Sequence, residues 1–180
     1  MTGMVTRFGL LGVFLLMVPE SACIPIPSEV TLLFSGFAVH QGWMSFPLAV
    51  LAATAGNVVG SLLAYGVGTT RLVARLPLIG DQIDRWGEVI DRRGPNAVFI
   101  ARLMPLARTF ISLPAGGRHV PLGRFVALST LGCALWAFAL VLTGLLAGSA
   151  WTLVRSLLSP ALLVAGVLVI AAGLLRLRRA

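Results

Sequence analysis

Residues 96–117 read NAVFIARLMPLARTFISLPAGG, and the fold turns on how this stretch is placed. It is apolar enough to sit in a bilayer, yet it carries Arg102 and Arg108 together with Pro105 and Pro114. One arginine at the centre of a lone spanning helix costs roughly 2.5–3.5 kcal/mol on insertion scales. Two in one span need protein, water or an anion to face. On a continuous helix, positions six apart point about 120° away from each other at ~3.6 residues per turn. Pro105 lies between the arginines, removes a backbone donor and disfavours helix at Met104. A break there lets both guanidiniums enter one pocket. The stretch therefore reads as a re-entrant hairpin, with arms of about 10 residues that each rise ~15 Å, half of a bilayer. Broken backbone at that depth must be buried in protein or line a wet cavity. The alternative is a segment lying along the surface, with both arginines snorkelling to the headgroups.

Composition places the whole chain in the membrane. Of 180 residues, 58% are hydrophobic and 11% charged, and the mean hydropathy is +0.97. A soluble domain of this size has no use for so much apolar surface. The net charge is +8, and all 14 basic side chains are arginine. In a membrane protein that excess speaks first of topology and of anionic lipid headgroups rather than nucleic acid. Arginine also suits bidentate contact with phosphate. Cys23 and Cys133 are too few for a disulfide framework and form no CxxC pair. Arg7, a short apolar run and Ser21-Ala22-Cys23 imitate a signal peptide. Pro19 and Glu20 stand where its cleavage site would need small or apolar residues.

The arginine stretch has an acidic counterpart. Phe8–Val18 is apolar but too short to span. It is followed by PESACIPIPSE, residues 19–29, with Pro19, Pro25 and Pro27, then by apolar Val30–Val39. Prolines at this spacing are not expected inside a helix. The plan, over residues 8–40, is again arm, broken tip, arm. Ser28 and Glu29 look like the start of the second arm, a hydroxyl cap with an acid in the first turn. Residues 40–43 form an interfacial turn with the aromatic anchor Trp43.

Three charge-free segments are long enough to cross: 46–68, 125–148 and 156–175. In the first, Gly56, Gly60 and Ser61 fall at near-helical spacing, which fits close helix packing and equally fits neutral small residues of a Gly/Ala-rich chain, and Asn57 is its one strong polar group. Residues 71–93 are hydrophilic, with Leu72, Leu76, Ile79, Ile83, Trp86 and Ile90 recurring every three or four positions. That is an amphipathic interfacial helix, broken near Pro77–Gly80. Asp84, Glu88 and Asp91 read as its solvated face, not a metal site. Arg118, His119 and Arg124 mark an exit at an interface. Most arginines outside the hairpins, from Arg71 to Arg93 and from Arg176 to Arg179, fall on one side. The positive-inside rule makes that side, with the C-terminus, cytoplasmic. The acidic hairpin then enters from outside and the arginine hairpin from inside. Residues 1–180 thus read as one all-α integral membrane domain. It holds two facing re-entrant helical hairpins in an inverted repeat, about three transmembrane helices and an amphipathic interfacial helix.

Glu20 and Glu29 are the only acids outside the hydrophilic helix. A carboxylate at membrane depth must be paired or neutral, and Arg102 and Arg108 are available partners. One reading is a structural ion-pair cluster pinning the hairpins together. The other is a proton-responsive carboxylate beside an arginine pair that binds a phosphate headgroup. Catalytic patterns are weak: His40 and His119 are interfacial, no nucleophile–base set or zinc motif exists, and Ser112 reads as a pocket hydroxyl or a cap. No enzyme activity, cofactor, metal or nucleic-acid partner is expected.

FIARLMPLARTFISLPAGG, followed by Phe125, Gly132 and Trp136, resembles the signature of the DedA family, which carries the SNARE-associated or VTT domain. Glu20, Pro25-Ile26-Pro27-Ser28-Glu29, Gly36, Gly56 and Tyr65-Gly66-Val67-Gly68 resemble its first half. The chain departs from the family pattern after Gly68, where Thr69 stands in place of arginine. The resemblance implies facing re-entrant hairpins, with tips around Pro25, Pro27, Ser28, Pro105, Pro114 and Gly116. It also implies a bacterial inner-membrane location. The implied activity is proton-coupled lipid transport, of undecaprenyl phosphate in some members and phosphatidylethanolamine in others. By position, Glu20 and Glu29 match the family's acids and Arg102 and Arg108 its arginines, with Asn57, Tyr65, Ser112 and Trp136 as secondary residues. The partners are then a phosphate-bearing lipid and protons, with homo-oligomerisation left open. A lipid carrier and a non-transporting membrane scaffold both remain compatible with these residues.

Overall fold

The computed structural model describes residues 2–23, 27–70, 80–105 and 107–148. Pro25, the expected span 156–175 and the first part of the amphipathic segment, 71–79, lie outside the described residues. Among those described, all regular structure is helical: α1 (Thr2–Ser21), α2 (Ser28–His40), α3 (Phe46–Gly68), α4 (Gly80–Arg93), α5 (Asn96–Arg102), α6 (Ala107–Phe110), α7 (Ser112–Gly117) and α8 (Leu122–Leu146). Among the described residues, two helices are long and apolar enough to cross a membrane, α3 and α8. Their outer faces expose Leu48, Leu51, Leu63, Leu131, Leu135 and Phe138, the arrangement lipid tails favour and water does not. The chain is a membrane protein.

Three local expectations are corrected. Pro19 lies inside α1, which runs on to Ser21. A proline in a last turn forfeits a single intrahelical bond, and Ala22 N–H still reaches the Val18 carbonyl at 3.0 Å. The real exit is Cys23, at φ 71, the left-handed position where helices commonly end. Ser28 does open α2, but Pro27 is the N-cap and no side chain caps the helix. Its hydroxyl turns inward instead. The arginine stretch does not form two plain arms. Its chain breaks at Leu103–Pro105, then again at Ile111, leaving α6 as a single turn. Pro114 and Gly116 sit in α7, beyond the second break and away from the first.

Packing follows a repeated plan. α3 lies against α1 and α7, α8 lies against α5 and α2, and α3 and α8 pack on each other. In lipid the hydrophobic effect does little to join helices, so close backbone approach must do it. A Cβ on Gly36 would strike α8 backbone at Val141, Gly144 and Leu145; one on Gly116 would strike α3 at Tyr65, Gly68 and Thr69. Gly144 and Gly68 answer them from the other side, against the carbonyls of Leu33 and Leu113. The two interfaces are built the same way from separate parts of the chain. Gly56 and Gly60 do bring α3 close to α1, the packing reading of their spacing.

Among the described residues, the apolar interior forms two clusters. One contains Ala97, Val98, Ala101, Ile111, Ala115 and Phe125. The other contains Val13, Met17, Leu32, Ala49, Ala53, Ala137 and Val141. α4 covers the first with Ile90 and Trp86, while Asp84, Glu88 and Asp91 face outward as expected. Arg118 fastens it, pairing with Asp91 and lying over Gly87.

Candidate functional site

Polar groups occupy the region that links the two clusters. Arg102, Arg108 and Glu20 are 1%, 3% and 3% exposed. The break at Leu103–Pro105 delivers the arginines to different places. Arg102 ends α5 and lies over the Phe125 ring, Cζ 5.9 Å from its centroid. Arg108 lies in α6 over the Trp136 ring at 5.1 Å. Phe125 and Trp136 are three helical turns apart on α8 and so share its inner face. The same face carries Ser129, Gly132 and Cys133. Gly132 is required there: a Cβ would stand 2.5 Å from the Cβ of Arg102.

The two arginines are held differently. Arg102 Nη1 donates to the Arg108 carbonyl at 2.6 Å. Its Nη2 donates to Ser112 Oγ at 2.7 Å and is 3.3 Å from Ser129 Oγ. Arg102 therefore braces the broken backbone, satisfying a carbonyl that the break leaves outside any helix ladder. Arg108 faces the first half of the chain. Its Nη2 donates to Glu20 Oε2 at 3.2 Å. Glu20 also accepts from Ser28 Oγ at 3.1 Å through Oε1. One carboxylate thus ties the end of α1 to the start of α2 and to α6. Ser21 Oγ, 3.3 Å from Glu20, donates to Asn57 Oδ1 at 2.6 Å and brings α3 into the network. Cys23 Sγ adds a contact to the Thr109 carbonyl at 3.2 Å.

Glu29 is only half-buried, and it makes no ion pair with either arginine among the described residues. Of the two acids and two arginines that the sequence made available to each other, the described residues bring together one acid and two arginines, a single positive charge in excess when Glu20 is ionised. Tyr65 lies outside the network: its hydroxyl donates to the Val120 carbonyl at 2.7 Å and its ring packs on Phe125. Pro105 is exposed at the break and Pro27 at the start of α2. Sequence reasoning missed Ser21, Cys23 and Ser129. Ser129 had a signal, since Phe125, Ser129, Gly132, Cys133 and Trp136 recur at three- and four-residue steps. Ser21 had none beyond its place beside Glu20.

The architecture and this charged network define a helical membrane protein with a buried polar centre built from two proline-broken stretches. The sequence model of the VTT domain matches residues 26–146, and the chain belongs to that family, the DedA family. An alkaline phosphatase-like protein of Lactococcus lactis is 34% identical, over 84% of this chain and 77% of its own. An undecaprenyl phosphate transporter A of Bacillus subtilis is 30% identical over 70% and 67%. Its counterpart in Staphylococcus aureus is 28% identical over 79% and 76%. No solved structure matches the chain.

Proposed function

We propose that this chain carries a phosphate-bearing lipid between the leaflets of a bacterial cytoplasmic membrane and is not an enzyme. The observation that carries the reading is the charge count of the interior among the described residues: Arg102 and Arg108 are buried against one buried carboxylate, Glu20. An uncompensated charge at membrane depth is expensive and marks a ligand path. A phosphate headgroup supplies the missing anion, and arginine matches its geometry. The transporter names of two relatives support the same ligand class. Undecaprenyl phosphate and a phospholipid such as phosphatidylethanolamine are the candidates.

The matching Gly36/Gly144 and Gly68/Gly116 interfaces support an inverted repeat, in which α1–α2 and α5–α7 are re-entrant hairpins facing each other. The arginine hairpin, α4 and the C-terminus face the cytoplasm in this arrangement. Glu20 is the coupling group. When it is ionised, it holds Arg108. When it is protonated, it releases a second positive charge to the headgroup. Glu29, half-buried at the start of α2, is a relay between Glu20 and the outer surface.

The test is reconstitution into liposomes, following candidate fluorescent phospholipids and a polyprenyl phosphate under an imposed pH gradient. Lipid movement is expected in wild type, and Glu20→Gln is expected to lose its pH dependence. Arg108→Gln should lose movement while staying folded by circular dichroism. Wild-type liposomes that move none of these lipids faster than protein-free ones would leave the network a structural one.

A further inference from the structure

Among the described residues, four buried side-chain nitrogens have no hydrogen-bond partner: Asn57 Nδ2, Arg102 Nε, Arg108 Nη1 and Trp136 Nε1. All four are N–H donors, and no buried side-chain oxygen is left over to receive them. A buried donor without an acceptor is costly, and native interiors rarely tolerate one without a reason. Two of the four belong to a single contact. The Arg108 guanidinium sits over the Trp136 indole, Cζ 5.1 Å from the ring centroid. Its Nη2 is committed to Glu20, which leaves Nη1 and the indole N–H as the two spare donors of the residues in that contact.

The geometry points to Trp136 as a ligand of the phosphate group: its indole N–H and Arg108 Nη1 donate to two oxygens of one tetrahedral anion. Arg102, whose Nη groups are both spent on protein oxygens, positions the backbone around that seat. The inference rests on the reading of this region as a lipid-phosphate site and deepens it. The seat accepts a group that offers only acceptors. Indole provides a neutral donor on an apolar body, so it adds a hydrogen bond without adding a charge that would be left buried and unpaired when the lipid leaves. The shared chemistry is phosphate, whether borne by a lipid or free.

The probe is dodecyl phosphate, titrated into protein labelled with ¹⁵N at the indole nitrogens in an uncharged detergent. The Trp136 indole resonance, assigned by its loss in Trp136→Phe, should move downfield to saturation. Trp136→Phe keeps an aromatic face for Arg108 but lacks the N–H, and should weaken binding about tenfold, the value of one hydrogen bond to a charged group. Arg108→Gln should remove binding. An indole resonance that stays still while dodecyl phosphate saturates wild type overturns the inference, as does unchanged affinity in folded Trp136→Phe. Wild type that does not bind the probe at all overturns the lipid-phosphate reading beneath it. Inorganic phosphate that moves the resonance as far at equal concentration keeps the seat but takes the lipid out of it.

Discussion

The Glu20–Arg108 pair can be dissected by a double-mutant cycle with Glu20→Gln and Arg108→Gln. The partners are far apart in sequence, and their side chains are 4% and 3% exposed. Breaking such a pair from one side strands a buried charge and costs about 3–5 kcal/mol. Glu20→Gln strands Arg108, whose only other close partner among the described residues is the Trp136 ring. Arg108→Gln strands a carboxylate that keeps only hydroxyls: Ser28 at 3.1 Å and Ser21 at 3.3 Å. The first change belongs at the upper end of the range and the second at the lower, since Ser28 and the nearby Arg102 soften it. The double mutant strands no charge and should be no worse than the milder single. The coupling is then at least as large as the cost of the more severe single change, about 3–5 kcal/mol. The assay is unfolding of the purified protein in mixed micelles of rising dodecyl sulfate fraction, followed by far-ultraviolet circular dichroism. Burial shields the pair from ions, so the coupling should persist in 0.5 M salt, where the Debye length is only about 4–5 Å. Additivity to within about 0.5 kcal/mol would refute the pair and with it the linkage of the two halves through Glu20.

Three contrasts follow. Gly132→Ala should push the Arg102 stem away from α8 and cost about 1–3 kcal/mol, whereas Gly66→Ala, which meets nothing within 4 Å, should be neutral or stabilise by up to about 1 kcal/mol; both are read as shifts in the same unfolding midpoint. Asp91→Asn removes a pair whose side chains are 43% and 48% exposed, so it should cost at most about 1 kcal/mol at low salt and less in 0.5 M salt. Pro105→Leu favours helix through the break and should draw Arg108 off Glu20, cutting liposome lipid movement severalfold in a well-expressed protein; full activity would show that the break is dispensable.

The sequence by itself determined the class of molecule. Apolar composition, three long charge-free segments and proline-broken stretches carrying opposite charge dictate a helical membrane protein with a polar centre. No soluble fold buries so much, and no continuous span tolerates Arg102 and Arg108. The small residues of α3 also left room for its close packing, because in lipid only small side chains let backbones approach. Tertiary structure decided which charges meet. Proline frees the chain from helical periodicity, so beyond Pro105 nothing local fixes the direction of a side chain. Packing alone sent Arg108 to Glu20, turned Arg102 back on the backbone beside it, and left Glu29 half-buried. Ser28, legible as a cap, became a carboxylate partner because α1 continues through Pro19 and brings Glu20 alongside. Trp136 was legible as a secondary site residue, but its spare donor was visible only once Arg108 lay over its ring.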